Sequence, residues 1–138
     1  MTLTLKIIFI GLLTYTAAWS STCPTEIEGK NICASVEWER GPLWGGFSKA
    51  TVTYHKKNNP EQKVELPKDI ILYTWMVMED TEHGGRTPKI TQKSKGVYEV
   101  DQLQFMKMGT GGWQLRWRKK KTHERKDALA VYSVPLGN

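Results

Sequence analysis

The chain has 138 residues, 39% of them hydrophobic and 25% charged, with a formal charge of +6. That length is enough for one hydrophobic core and too short for two. The positive balance is mild, and it does not suit a chain dedicated to nucleic acid.

The first twenty residues form a segment of their own. One positive charge, Lys6, precedes an apolar run from Ile7 to about Trp19. The run has the length of a secretory h-region and is too short to span a bilayer comfortably. Ala18-Trp19-Ser20 puts small residues at the −3 and −1 positions, so residues 1–20 are expected to be a signal peptide cleaved after Ser20. An uncleaved anchor is the alternative. Ser20-Ser21-Thr22 ahead of Cys23 does not make a lipidation site. The expected localisation is therefore periplasmic or extracellular, with residues 21–138 as the folded domain. In such a compartment the two cysteines, Cys23 and Cys33, are expected to form a disulfide.

The domain then reads as alternating strands. In "NICASVEWER" Ile32, Ala34, Val36 and Trp38 share one face, while Cys33, Ser35, Glu37 and Glu39 share the other. This puts Cys33 on the outward side, with the tail from Cys23 crossing outside the strand. Gly41-Pro42 ends the segment. "FSKATVTYHKK" alternates again, Asn58-Asn59-Pro60 is a turn, and Pro67 keeps "VELPKD" out of a central position. "IILYTWMVM", residues 70–78, is apolar on both faces and predicts a strand covered on both sides. A polar loop, "EDTEHGGRTPK", follows.

"KITQ" predicts a short strand, Lys95-Gly96 a turn, and "VYEVDQLQF" a strand kinked at Asp101. Leu103 and Phe105 mark its buried side. "WQLRWRK" is the clearest alternation, with Trp113, Leu115 and Trp117 inward and Gln114, Arg116 and Arg118 outward. "ALAVYSV" is the last strand. About seven short strands, regular turns and no helix predict an all-β, Ig-like antiparallel sandwich.

Chemistry concentrates at the methionines. Beyond the initiator they come as two Met-x-Met pairs, Met76/Met78 and Met106/Met108. Alternation puts each pair on one side of its strand. Thioether sulfur favours Cu(I), and imidazole accepts Cu(II) as well. His83, in a glycine-flanked loop, completes a candidate copper set, and Glu79, Asp80 and Glu82 would bias the site toward a cation. Met is also a common core filler, above all at Met76. Met106 and Met108 continue the wet Gln102/Gln104 side, where packing offers less reason for them; a bulge at Asp101 or Lys107 would exchange the faces.

These residues carry a resemblance. From about Ile32 to Val134 the chain resembles the small exported FixH-like or YtkA-like domains. Those pair a Met-Pro-x-Met-Gly-His-Gly loop with a later Phe-x-Met-x-Gly-x-x-Trp hairpin. Met78, His83-Gly84, Met108 and Trp113 match, and "VEWERGP" is similar to an early strand and turn of such domains. Glu79, Thr81 and Glu82 depart from the loop pattern. The resemblance implies an Ig-like fold and copper handling, with a membrane transporter or oxidase-assembly protein as partner.

A second reading is an interaction module without metal. Its partner surface would use Trp44, Trp75 and the basic stretch containing Arg116, Arg118, Lys119, Lys120 and Lys121. An enzyme is not expected: there is no nucleophile–base cluster, no HExxH and no phosphate-binding glycine loop. His55 and His123 stand among lysines and are expected at the surface.

Overall fold

A computed structural model describes residues 23–78, 82–107, 111–121 and 127–137. Ten strands run in chain order: β1 (Thr25–Ile27), β2 (Ile32–Arg40), β3 (Phe47–Lys56), β4 (Asn59–Lys63), β5 (Ile70–Val77), β6 (Glu82–Gly84), β7 (Lys89–Ser94), β8 (Val97–Gln104), β9 (Trp113–Lys119) and β10 (Ala130–Ser133). They make a two-layer antiparallel β-sandwich, the expected class. One sheet has the order β1-β2-β3-β8-β7, with β4 paired to β3; the other is β10-β9-β5-β6. No helix among the described residues is long and apolar enough to cross a membrane.

The alternation read from the sequence sets the core. Ile32 and Ala34 of β2, Ala50, Val52 and Tyr54 of β3, and Val100 of β8 face Leu72, Met76, Leu115 and Trp117 of the other sheet. Trp117 is fully buried, and its indole N–H donates to the Tyr54 hydroxyl at 2.7 Å, tying sheet to sheet. A second tie lies toward one side, where the Trp38 indole donates to the Tyr132 hydroxyl at 3.0 Å. The Glu28 N–H also donates to the Leu129 carbonyl at 3.0 Å, closing the sandwich beside β1 and β10.

The kink expected at Asp101 is a bulge. Ser48 and Ala50 of β3 pair with Leu103 and Val100, so β8 carries one extra residue between them. Gln102 takes the left-handed conformation, φ 58°, and its N–H is held by the Asp101 carboxylate at 2.7 Å. The extra residue lets Val100, Leu103 and Phe105 all reach the core. Because the buried side had been assigned from Leu103 and Phe105, beyond the bulge, the expectation for Met106 keeps its parity. Met106 is 48% exposed.

Cys23 and Cys33 are joined in a disulfide. Two expectations around it are corrected. The tail does not cross the outside of β2; it pairs with it as β1, Ile27 opposite Ile32, because Thr25 and Ile27 have a buried face to fill. Cys33 does lie on the side away from the core, yet it is fully buried under its neighbours. One of those is His55, its register partner on β3. His55 is therefore buried rather than exposed, with Nδ1 2.9 Å from the Lys56 carbonyl. His123 lies outside the described residues.

Two outcomes follow from these constraints. Opening the Cys23–Cys33 loop frees a short segment of unfolded chain, and reduction should cost roughly 2–3 kcal/mol, read by urea denaturation with and without reductant. Burial raises the Tyr54 hydroxyl pKa far above its usual range, more than the Trp117 hydrogen bond lowers it. An unfolded tyrosine ionises near pH 10, so below about pH 10 neither state titrates; above it the unfolded chain loses its proton first and stability falls as pH rises. Tyr54→Phe should flatten that alkaline fall. It should also cost about 1–3 kcal/mol at neutral pH, because the Trp117 N–H loses its acceptor.

Candidate functional site

The end of β5 gathers the candidate ligands. β6 returns antiparallel along it, with Met76 opposite His83 and Val77 opposite Glu82. On its other side Met76 is opposite Trp113 of β9. Residues directly opposite in an antiparallel pair share a face, with Cβ atoms about 4.5–5.5 Å apart. His83, Met76 and Trp113 therefore form one row on the inner face. The Trp113 ring is buried against Phe105, edge to face at 5.7 Å. Met76 is buried in the core, Met78 is half-buried against it two residues further on, and His83 is exposed on the edge strand.

Met106 of the other methionine pair approaches through the same tryptophan. The Trp113 indole N–H donates to the Met106 carbonyl at 3.0 Å, which fixes that backbone beside the row. Met108 lies outside the described residues, as do Glu79, Asp80 and Thr81. The sequence marks Trp113 as the hairpin Trp of the resembled pattern, without its contact to Met76. Its alternation marked it as inward, but nothing in one strand states which residue it meets across the sheet.

Two glycines let these segments approach. A Cβ on Gly85 would overlap the Thr74 hydroxyl and sit 2.7 Å from Cζ3 of Trp113. A Cβ on Gly111 would collide with the Val77 carbonyl. The neighbouring N–H of Val77 is bonded to the Gly112 carbonyl at 2.8 Å, so the backbone there has little room to yield. Gly85 and Gly111 thus supply close backbone contacts around the end of β5.

Among the described residues no three His, Cys, Asp or Glu side chains stand together as a metal-binding group. The donor chemistry assembled here is thioether plus a single imidazole, which suits a soft ion better than a hard one.

The expected partner surface is arranged differently. Trp75 is only 3% exposed and Arg116 is buried, because the guanidinium lies over the indole at 4.9 Å. Arg118 lies over Tyr73 in the same way at 5.2 Å, and Tyr73 meets Trp75 edge-on at 5.9 Å. Aromatic rings and guanidinium planes cover one another along the outer face of β5 and β9, so two of the expected anchors are not surface groups. Alternation had their direction right; it does not count what long side chains do once they are outside. Trp44 is half-buried, its indole N–H bonded to the Gly137 carbonyl and its ring 5.8 Å from the Lys107 ammonium. Lys119, Lys120 and Lys121 are exposed.

Comparison of the chain with protein-family models, curated proteins and solved structures gives no significant match.

The glycines set a sharp contrast. Gly111→Ala should destabilise the domain by about 1–3 kcal/mol, since the methyl group meets main chain rather than a movable side chain. Gly112→Ala, with nothing near its Cβ, should stay within about 0.5 kcal/mol. Thermal melts of the two variants check this.

Proposed function

We propose that this protein is an exported copper-binding or copper-delivery domain whose site is built on Met76, Met78 and His83, with Met106 and Met108 as the further thioether donors. The observation that carries the reading is the register that sets Met76 directly opposite His83, with Met78 next along the same face. Thioethers carry no proton to displace and hold Cu(I) in preference to zinc. His83, exposed on the edge strand, offers the imidazole through which the ion would enter and leave. The aromatic wall of Trp113 and Phe105 behind Met76 keeps water from the inner side. A site open on one side and closed on the other suits transfer rather than permanent storage.

The disulfide supports an oxidising compartment, and so export with loss of residues 1–20. The resemblance to FixH-like and YtkA-like domains points the same way, and a membrane transporter or oxidase-assembly protein would be the recipient. An interaction module without metal is the weaker reading, because Trp75 and Arg116 are covered by each other.

Cu(I) titration of the purified protein against a competing chelator tests the proposal. Replacing Met78 and Met108 together by Leu should weaken Cu(I) by about tenfold or more, equivalent to about 1.4 kcal/mol or more. His83→Ala should weaken Cu(II) most. Binding no tighter than micromolar, or a double variant equal to the parent, would return the methionines to packing.

A further inference from the structure

Among the described residues, the side of the sandwich away from β1 and β10 is not closed, and no further strand lies there. β6 pairs only with Trp75–Val77, and its continuation reaches Thr74, where the Gly85 N–H meets the Thr74 carbonyl. The Ile70–Tyr73 half of β5 therefore has no strand beside it on that flank. In the facing sheet β7 extends past it. Ile90 is the register partner of Val100, a fully buried core residue, so it faces inward. It is nonetheless 43% exposed, because none of the described residues opposite covers it.

A cavity of about 590 Å³ opens here, floored by Ile70, Leu72, Tyr98 and Val100. Its charged lining is Lys68, Arg118 and Lys120 against the single acid Glu65. A smaller pocket of about 150 Å³, lined by Trp75, Gly85 and Arg86 among others, shares Tyr73, Thr87 and Arg118 with the first. The two join around the open edge of β5. The larger space is apolar, and the smaller is polar. Trp75, almost wholly buried, lines the smaller one, and its indole N–H has no acceptor among the described residues. A buried donor left unpaired carries a desolvation penalty that an acceptor would remove.

We propose that this joined cleft binds a single-chain amphiphilic carboxylate, a free fatty acid. Its chain lies on Leu72, Tyr98 and Val100 under Ile90. Its carboxylate sits at the small pocket, accepting from the Trp75 N–H beside the guanidinium of Arg118, which lies over Tyr73. The larger volume falls in the range of about 300–1,000 Å³ usual for small-molecule sites, which are apolar with a few placed polar groups. A plain inorganic anion would leave the apolar floor unused, and a neutral chain would leave the cationic lining of Lys68, Arg118 and Lys120 without a counter-charge.

Calorimetric titration of the full chain with dodecanoate, dodecanol and acetate tests this, with far-UV circular dichroism confirming that each variant is folded. Dodecanoate should bind at micromolar concentration, dodecanol about tenfold or more weaker, and acetate not detectably. Ile90→Glu, at an exposed strand position, should weaken dodecanoate by about tenfold or more. Arg118→Gln should weaken dodecanoate and leave dodecanol unchanged. Equal affinity for acid and alcohol, or a folded Ile90→Glu variant that binds like the parent, overturns the proposal. Phosphatidylglycerol vesicles free of fatty acid should leave the protein in the supernatant; Ile90-dependent sedimentation with them would overturn it in favour of a membrane lipid.

Discussion

The Trp117 indole must find an acceptor, and where it finds one decides how the two sheets sit. Trp117 is fully buried in β9, so its N–H cannot turn to water. The acceptor is the Tyr54 hydroxyl of β3, in the other sheet, itself nearly fully buried. Dispersion and apolar burial hold sheets together without fixing their alignment. A hydrogen bond between two buried groups does fix it, because a slip would leave both unpaired. Tyr54 in turn meets Tyr98 edge to face at 5.4 Å, so the same bond orients a wall of the open cleft. Through β9 it also sets Trp113, four residues earlier on the same face, against Met76.

The bulge in β8 is the second adjustment on which the site depends. A strand of strict alternation would have sent Leu103 outward once Val100 was buried. One extra residue at Asp101–Gln102 restores Leu103 and Phe105 to the core. Phe105 then packs on both Trp38 and Trp113, and the chain leaves it with the Met106 carbonyl bonded to the Trp113 indole. The asparagine-like reach of the Asp101 carboxylate to the Gln102 N–H is what makes the left-handed residue tolerable outside glycine.

What was legible in the sequence was whatever one strand decides alone. The alternation of "WQLRWRK" and "NICASVEWER" sets faces, the kink expected at Asp101 falls where the bulge lies, and two cysteines in a small domain give the disulfide. What stayed hidden needed a second segment. β1 and β6 are three residues each, too short for any period, and exist because a longer strand offers them an edge. His55 among lysines looks solvated until Cys33 and the disulfide lie over it. Trp75 looks like a surface anchor until Arg116 lies on it. The methionine pairs showed their parity, but the direct opposition of Met76 and His83 is a fact of register, and register is set across strands.

The shortness of β6 shapes both ends of β5. As a strand it lasts only from Glu82 to Gly84, long enough to bring His83 beside Met76. At Gly85 the backbone lies so close to Thr74 and Trp113 that no side chain fits. The Thr74 hydroxyl then donates to the Arg86 carbonyl at 3.1 Å, and Pro88, which has no N–H to offer a ladder, precedes β7 in the other sheet. The chain thus leaves the β5 edge after one turn's worth of pairing and crosses to the opposite layer. Had the pairing run on past Thr74, a strand would stand where the cleft opens and Ile90 would be covered. Had it stopped earlier, His83 would have no register with Met76. A single departure point, fixed by Gly85 and its contacts, therefore accounts for the thioether–imidazole row at one end of β5 and for the open apolar cleft along the other.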